Sequence, residues 1–129
     1  MRKVFIIIFI AYLAINTYFL FSKGDSLMDI QNKGFVVWVS TALGVKPDKT
    51  LHMILFFPMI PLAWFAFRPK WDITKVIILW SGVIFGVLTE WIQHYLPHRT
   101  GDITDVAADI VGSVLGIPLL LFFSLFKRK

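Results

Sequence analysis

The chain has 129 residues, 57% of them hydrophobic, and a mean hydropathy of +0.75. Soluble domains run at about 45–50% apolar, so this composition excludes a water-soluble fold and leaves a one-domain integral membrane protein with room for about four or five spans. Cysteine is absent, which excludes disulfides, thiolate metal sites and a cysteine nucleophile. The net charge of +5 sits at the ends of apolar runs. That suits anionic headgroups, and with no basic helix or aromatic–basic platform it offers nothing to nucleic acid.

Residues 4–21 form an apolar run behind Arg2 and Lys3. The run is longer than a signal-peptide core and no A-x-A-like site follows, so it predicts an uncleaved first span. Residues 22–33 are polar, contain Gly24 and predict a loop. Residues 34–45 are apolar but too short to cross, which predicts an interfacial or re-entrant segment with Trp38 at headgroup level. The second predicted span is 50–67, kinked by Pro58 and Pro61, and a short basic turn follows at 68–75. The third span is 76–95, stopped by Pro97, and the fourth is 103–126, preceded by Asp102. The expected fold is therefore all-α: four transmembrane helices plus one short interfacial segment.

Orientation follows from the bases. With the N-terminus cytoplasmic, eight bases fall inside (Arg2, Lys3, Arg68, Lys70, Lys75, Lys127, Arg128, Lys129) and five outside (Lys23, Lys33, Lys46, Lys49, Arg99). Both termini are then cytoplasmic, and the unusual polar residues gather on the extracytoplasmic side.

Residues three or four apart share a helix face. On span three that aligns Gly82, Gly86, Glu90 and His94, with Gln93 alongside; on span four it aligns Asp102, Asp105, Asp109, Gly112 and Gly116. Gly-x-x-x-Gly occurs in each, and small residues let membrane helices approach closely. The two glycine rows are expected to face each other and bring Glu90 near Asp105 and Asp109. Asp48 and His52, four apart on span two, point toward the same place, with Lys49 beside them. Glu90 and Asp109 lie about 7–10 Å below the outer helix ends at 1.5 Å per residue.

Simpler roles stand beside the functional ones. Asp102 has the position of an N-cap with Asp105 three residues on, and acids there suit the helix dipole. Neither argument covers Asp109, two turns in, or Glu90, near a helix C-terminus; an acid within a span costs about 2.5–3.5 kcal/mol on insertion scales and marks function by default. Arg99 serves equally as an interface anchor or counter-ion, and His52 as a satisfied interior residue. Pro97 breaks the helix between His94 and His98, which removes the spacing a metal pair requires. Trp64, Trp71, Trp80 and Trp91 read as interface belts or packing.

The spaced residues Asp48-Lys49-x-x-His52-x-x-x-Phe56, then Glu90-x-x-Gln93, then Pro97-x-Arg99-x-x-Asp102-x-x-Asp105-x-x-x-Asp109-x-x-Gly112-x-x-x-Gly116 resemble the VanZ-like family of small membrane proteins. The likeness covers about residues 48–118. The family pattern commonly has Asn at the position of Asp109 and a small residue at that of His98. The resemblance implies a multi-pass protein of the bacterial plasma membrane, connected with the cell envelope through the founding member's link to low-level resistance to the antibiotic teicoplanin.

Three classes of function follow. The first is an outer-leaflet pocket binding or modifying a lipid or lipid-linked envelope precursor. There Arg99 and Lys49 hold a phosphate or carboxylate, Glu90 and Asp109 form an acid/base pair, and His52 shuttles the proton or joins the acids around a divalent cation; Asp48, Gln93, Asp102 and Asp105 complete the binding set. The second is a proton- or cation-coupled carrier. The third is an accessory subunit whose polar cluster fixes helix pairing. Substrate, metal, and oligomeric state stay open at this level.

Overall fold

A backbone crossing hydrocarbon has no partner but itself, and every regular element among the described residues is an α-helix. The computed structural model describes residues 2–22, 29–30, 32–98 and 101–126. Eight helical segments lie among them: α1 (Arg2–Phe21), α2 (Gly34–Leu43), α3 (Pro47–Phe56), α4 (Met59–Phe67), α5 (Asp72–Leu79), α6 (Ser81–His94), α7 (Ile103–Leu115) and α8 (Ile117–Phe126). Three stretches are long and apolar enough to cross a membrane: α1, Pro47–Phe67 and Ile103–Phe123. The α5–α6 pair makes a fourth if the bent pair is one span. The protein is thus an all-α polytopic membrane protein, as its composition predicts. Its outer face carries Ile7, Ile10, Tyr18, Ile73 and Leu125, each 60% exposed or more, an apolar surface fit for acyl chains.

Each break has a chemical cause. Pro58 has no N–H to return to the α3 ladder, and the chain turns there before α4 starts. The nearby Leu55 carbonyl accepts from Tyr12 Oη at 2.7 Å and from Asn16 Nδ2 at 3.2 Å, so α1 supplies donors where the proline interrupts the helix. Pro61 falls in the first turn of α4, where its missing donor costs nothing. Gly116 and Pro118 divide α7 from α8 in the same way. The third span differs from expectation: helix begins at Asp72, inside the predicted basic turn, and bends by 46° at Trp80. A Ser81-Gly82 pair sits at that bend, with Ser81 Oγ donating to the Ile78 carbonyl at 2.6 Å, a contact that loosens the helical ladder.

The α2 helix spans about 15 Å at 1.5 Å per residue, half the hydrocarbon thickness. Gly44 at φ 65° ends it, a left-handed turn that favours glycine. It rests against the start of α3 through Val36 and Leu51, with Trp38 exposed.

Packing divides the bundle into two halves. Away from the acids, α4 packs on α1 and α8 around Phe9, Met59, Ile60, Ala63 and Leu120. At the acidic end, α7 lies between α3 and α6. The glycines make both approaches possible, but the two rows do not face each other. A Cβ on Gly82 or Gly86 would meet Ser113 or Asp109 of α7, whereas one on Gly112 or Gly116 would run into the α3 backbone at Met53 or Phe57. On α7, the Asp109/Ser113 row and the Gly112/Gly116 row are about 60° apart around the helix, so the first meets the glycines of α6 and the second the backbone of α3.

A Cβ on Gly112 would lie 2.7 Å from Met53 Cα, against backbone that cannot rotate away. Gly112→Ala is therefore expected to destabilise by about 1–3 kcal/mol. Gly34→Ala, where nothing lies within 4 Å, should stay within about 0.5 kcal/mol of the parent. Thermal melting of the two variants in detergent checks this; equal melting points would contradict the close approach.

Candidate functional site

Pro47 at the first turn starts α3, which places Asp48, Lys49 and His52 on its opening turns. Asp102 is extended at φ −130° and caps α7, accepting the Thr104 N–H at 2.9 Å. From α6, Glu90 reaches the same helix end and accepts the Asp102 N–H. This replaces the capping box expected within α7: a carboxylate from a neighbouring helix takes the donor that Asp105 was expected to take. It also explains an acid near the C-terminus of α6, since its charge lies at the positive end of α7.

Asp105 is turned toward α3 instead. Lys49 Nζ contacts it, and lies 2.9 Å from Asp102 Oδ2 and 3.4 Å from Asp48 Oδ2. His52 continues the chain of charges inward, with Nε2 3.8 Å from Asp105 Oδ2 and Nδ1 2.8 Å from Asp109 Oδ1. The Asp109 side chain is 1% exposed. Its second oxygen, Oδ2, has no hydrogen-bond partner and faces Gly86, 3.1 Å from where a Cβ would stand there. The cluster therefore runs from half-exposed Asp102 through Lys49, Asp105 and His52 to fully buried Asp109.

Glu90 and Asp109 belong to this end but not to one contact. Asp109 lies level with Gly86, one helical turn (about 5.4 Å) from Glu90, and each carboxylate has its own partner. Gln93 points away: its Nε2 donates to the Leu20 carbonyl at 2.6 Å and ties α6 to the last turn of α1. His94 and His98 are exposed. Arg99 lies outside the described residues, as do Lys23 and 127–129 of the predicted charge pattern. Among the described residues no three His, Asp or Glu side chains are disposed to hold a metal ion. The ammonium of Lys49 already lies among Asp48, Asp102 and Asp105, where a divalent cation would compete with it.

A match to the VanZ/LLP1 family runs over residues 3–126, a range that includes every residue of the cluster. The chain belongs to the VanZ/LLP1 family. A curated relative, an uncharacterised protein of Schizosaccharomyces pombe, is 29% identical over 99 residues, 70% of this chain and 60% of that protein. The chain thus spans under two thirds of that relative's length. No solved structure matches.

In this VanZ/LLP1 protein, α1 contributes polar groups that a reading of residues 4–21 as uniformly apolar passes over. Asn16 is 1% exposed, and its Oδ1 has no partner. Tyr12, four residues earlier and on the same face, donates to the same Leu55 carbonyl as Asn16 Nδ2. The available signal was Tyr-x-x-x-Asn within a largely apolar run, since a lone amide in a span seeks a partner helix.

Asp102 precedes its span, and the hydrogen bond from Lys49 Nζ, followed by those from Thr104, holds its carboxyl well below the usual carboxylate range. A carboxyl depressed by folding adds stability above its ordinary value of 3.8 and loses it as pH falls below that value. Asp102→Asn keeps a good N-cap but removes the titration. Its melting temperature should therefore fall less between pH 5 and pH 3 than the parent's, by a modest margin because water and salt screen the half-exposed site. Parallel acid limbs would refute the pairing.

Proposed function

We propose that the acidic end faces the outside of a bacterial cytoplasmic membrane, with both termini in the cytoplasm, and there binds a lipid or lipid-linked cell-envelope precursor and performs acid–base chemistry on it. The observation that carries this reading is the buried His52–Asp109 pair with Asp105 on the far side of the ring. A carboxylate on Nδ1 fixes an imidazole's orientation and tautomer and leaves Nε2 to take a proton, an arrangement used to activate hydroxyl groups and water. Glu90, anchored at the α7 N-terminus, supplies a second carboxyl at the same end. Lys49 is committed to three carboxylates, so it tunes the acids more than it holds an anion. The distribution of bases supports the orientation, and the family's link to glycopeptide resistance supports a ligand of the envelope.

General acid–base groups typically contribute about 10²–10⁴-fold in rate. His52→Gln and Asp109→Asn should each slow conversion of a polyprenyl-phosphate-linked saccharide in proteoliposomes by about 100-fold or more, while Gln93→Ala leaves turnover within a few-fold. The products are read by mass spectrometry. Full activity in Asp109→Asn would eliminate the acid–base reading.

A second reading, proton- or cation-coupled transport, draws on a different observation: the unpartnered Asp109 Oδ2, with the buried Asn16 Oδ1 also unpaired in the bundle interior. It requires ion flux in proteoliposomes that disappears with Asp109→Asn; a tight membrane under an imposed pH gradient removes it.

A further inference from the structure

The opposite end of the bundle carries a site that the acidic cluster does not involve. Where Pro58 divides α3 from α4, an apolar groove of about 460 Å³ opens along the bundle, walled by Phe5, Phe57, Leu62, Phe65, Leu119 and Phe123. Among the described residues its one charged lining residue is Arg68. A second cavity, of about 440 Å³, adjoins it and shares Arg68. This one is lined by Arg2, Lys70, Trp71 and Thr74, with no acid among the described lining residues. Among the described residues no carboxylate lies within 4 Å of Arg2, Arg68 or Lys70, whereas Lys75 nearby is paired with Asp72 at 2.8 Å.

Arg68 is also the one non-glycine residue at positive φ among those described, at 48°. Its N–H closes α4 on the Trp64 carbonyl at 2.8 Å, and glycine would make that left-handed turn without strain. A bulky side chain kept in a sparsely populated conformation, on the wall common to both cavities, is the kind of outlier that accompanies a binding role.

We infer that the two cavities form one bipartite site for an anionic phospholipid, with an acyl chain in the Phe-lined groove and the phosphate in the cup of Arg2, Arg68 and Lys70. Both volumes are those of ligand sites. Unpaired bases at a span end attract anionic headgroups, and arginine binds phosphate oxygens in a two-pronged fashion. A free phosphate would leave the groove unused, and a zwitterionic lipid would leave three cations uncompensated. The groove thus specifies a lipid and the cup specifies its charge.

The test uses the full chain, stripped in detergent and offered dioleoyl phosphatidylglycerol, dioleoyl phosphatidylcholine or inorganic phosphate. Lipid retention is read by native mass spectrometry and thermal protection by melting. Wild type should retain phosphatidylglycerol over phosphatidylcholine, and each base removed should reduce that preference about fivefold. Arg68→Gly removes the charge and relaxes the turn; the double change Arg2→Gln with Lys70→Gln leaves the turn intact and guards against a folding defect in the first. Equal retention of the two lipids by wild type overturns the inference. So does an undiminished preference in the double variant, which would show that the cup does not read the headgroup. Protection by inorganic phosphate equal to that by phosphatidylglycerol overturns the assignment to a lipid.

Discussion

The acidic end depends on α7 lying without side chains against the backbone of α3 while offering Asp109 and Ser113 to the glycine face of α6. Hydrocarbon gives membrane helices no hydrophobic reason to associate, so close van der Waals contact and interhelical polar pairs must hold them. Gly112 and Gly116 provide the first, and His52–Asp109 and Lys49–Asp105 provide the second across the same seam. The two depend on each other. A methyl group at Gly112 would push α3 outward, and the 2.8 Å contact from His52 to Asp109 has little distance to give.

Charge is arranged here in two layers that do different work. Asp102, Asp105 and Glu90 all lie at the start of α7, where free N–H groups and the dipole favour anions, and Asp102 and Glu90 each accept one of those N–H groups or its neighbour. That layer is explained by the needs of a helix end, with Lys49 as its counter-charge. The inner layer is not. Asp109 lies almost two turns inside α7, retains an unpartnered oxygen, and meets an imidazole that the α7 helix end does not require. An asparagine at that position would satisfy a hydrogen bond to His52 with no buried charge, and buried ion pairs rarely stabilise more than apolar packing. The inner layer is thus the part of the cluster that the needs of the helix end leave unexplained.

Much of this was legible in the chain because a helix converts spacing into direction. Asp48/His52, Gly82/Gly86/Glu90 and Asp105/Asp109 each come out on one face, and the three faces converge at one end of the bundle. What spacing does not give is the neighbour that a face meets. Residues three apart differ by about 60° around the axis, enough for Glu90 to reach α7 while Gln93 reaches α1. The same offset on α7 sets the Gly112 row against the α3 backbone and the Asp109 row against the α6 glycines, with Asp109 also reaching His52 of α3. Lys49 was expected to hold an anionic ligand; its long stem instead carries the ammonium in among three carboxylates of the chain itself. The bend at Trp80 lacks a proline to announce it, and Asn16 was hidden by the hydropathy of its run.

The break at Pro58 is the joint between two differently built halves. On the acidic side, glycine contacts and polar pairs hold α3, α6 and α7 close together. On the other side, α4 packs through Met59, Ile60, Ala63 and Ala66, and phenylalanines wall a groove beside Arg68. Tyr12 and Asn16 link the halves by holding the Leu55 carbonyl just before the proline. A lipid seated in the groove would touch Phe57 and Pro58, the residues that separate α3 from α4. Phe57 also gives its carbonyl to the close contact with Gly116. Phe57 is thus common to the wall of the groove and to the seam where α3 meets α7.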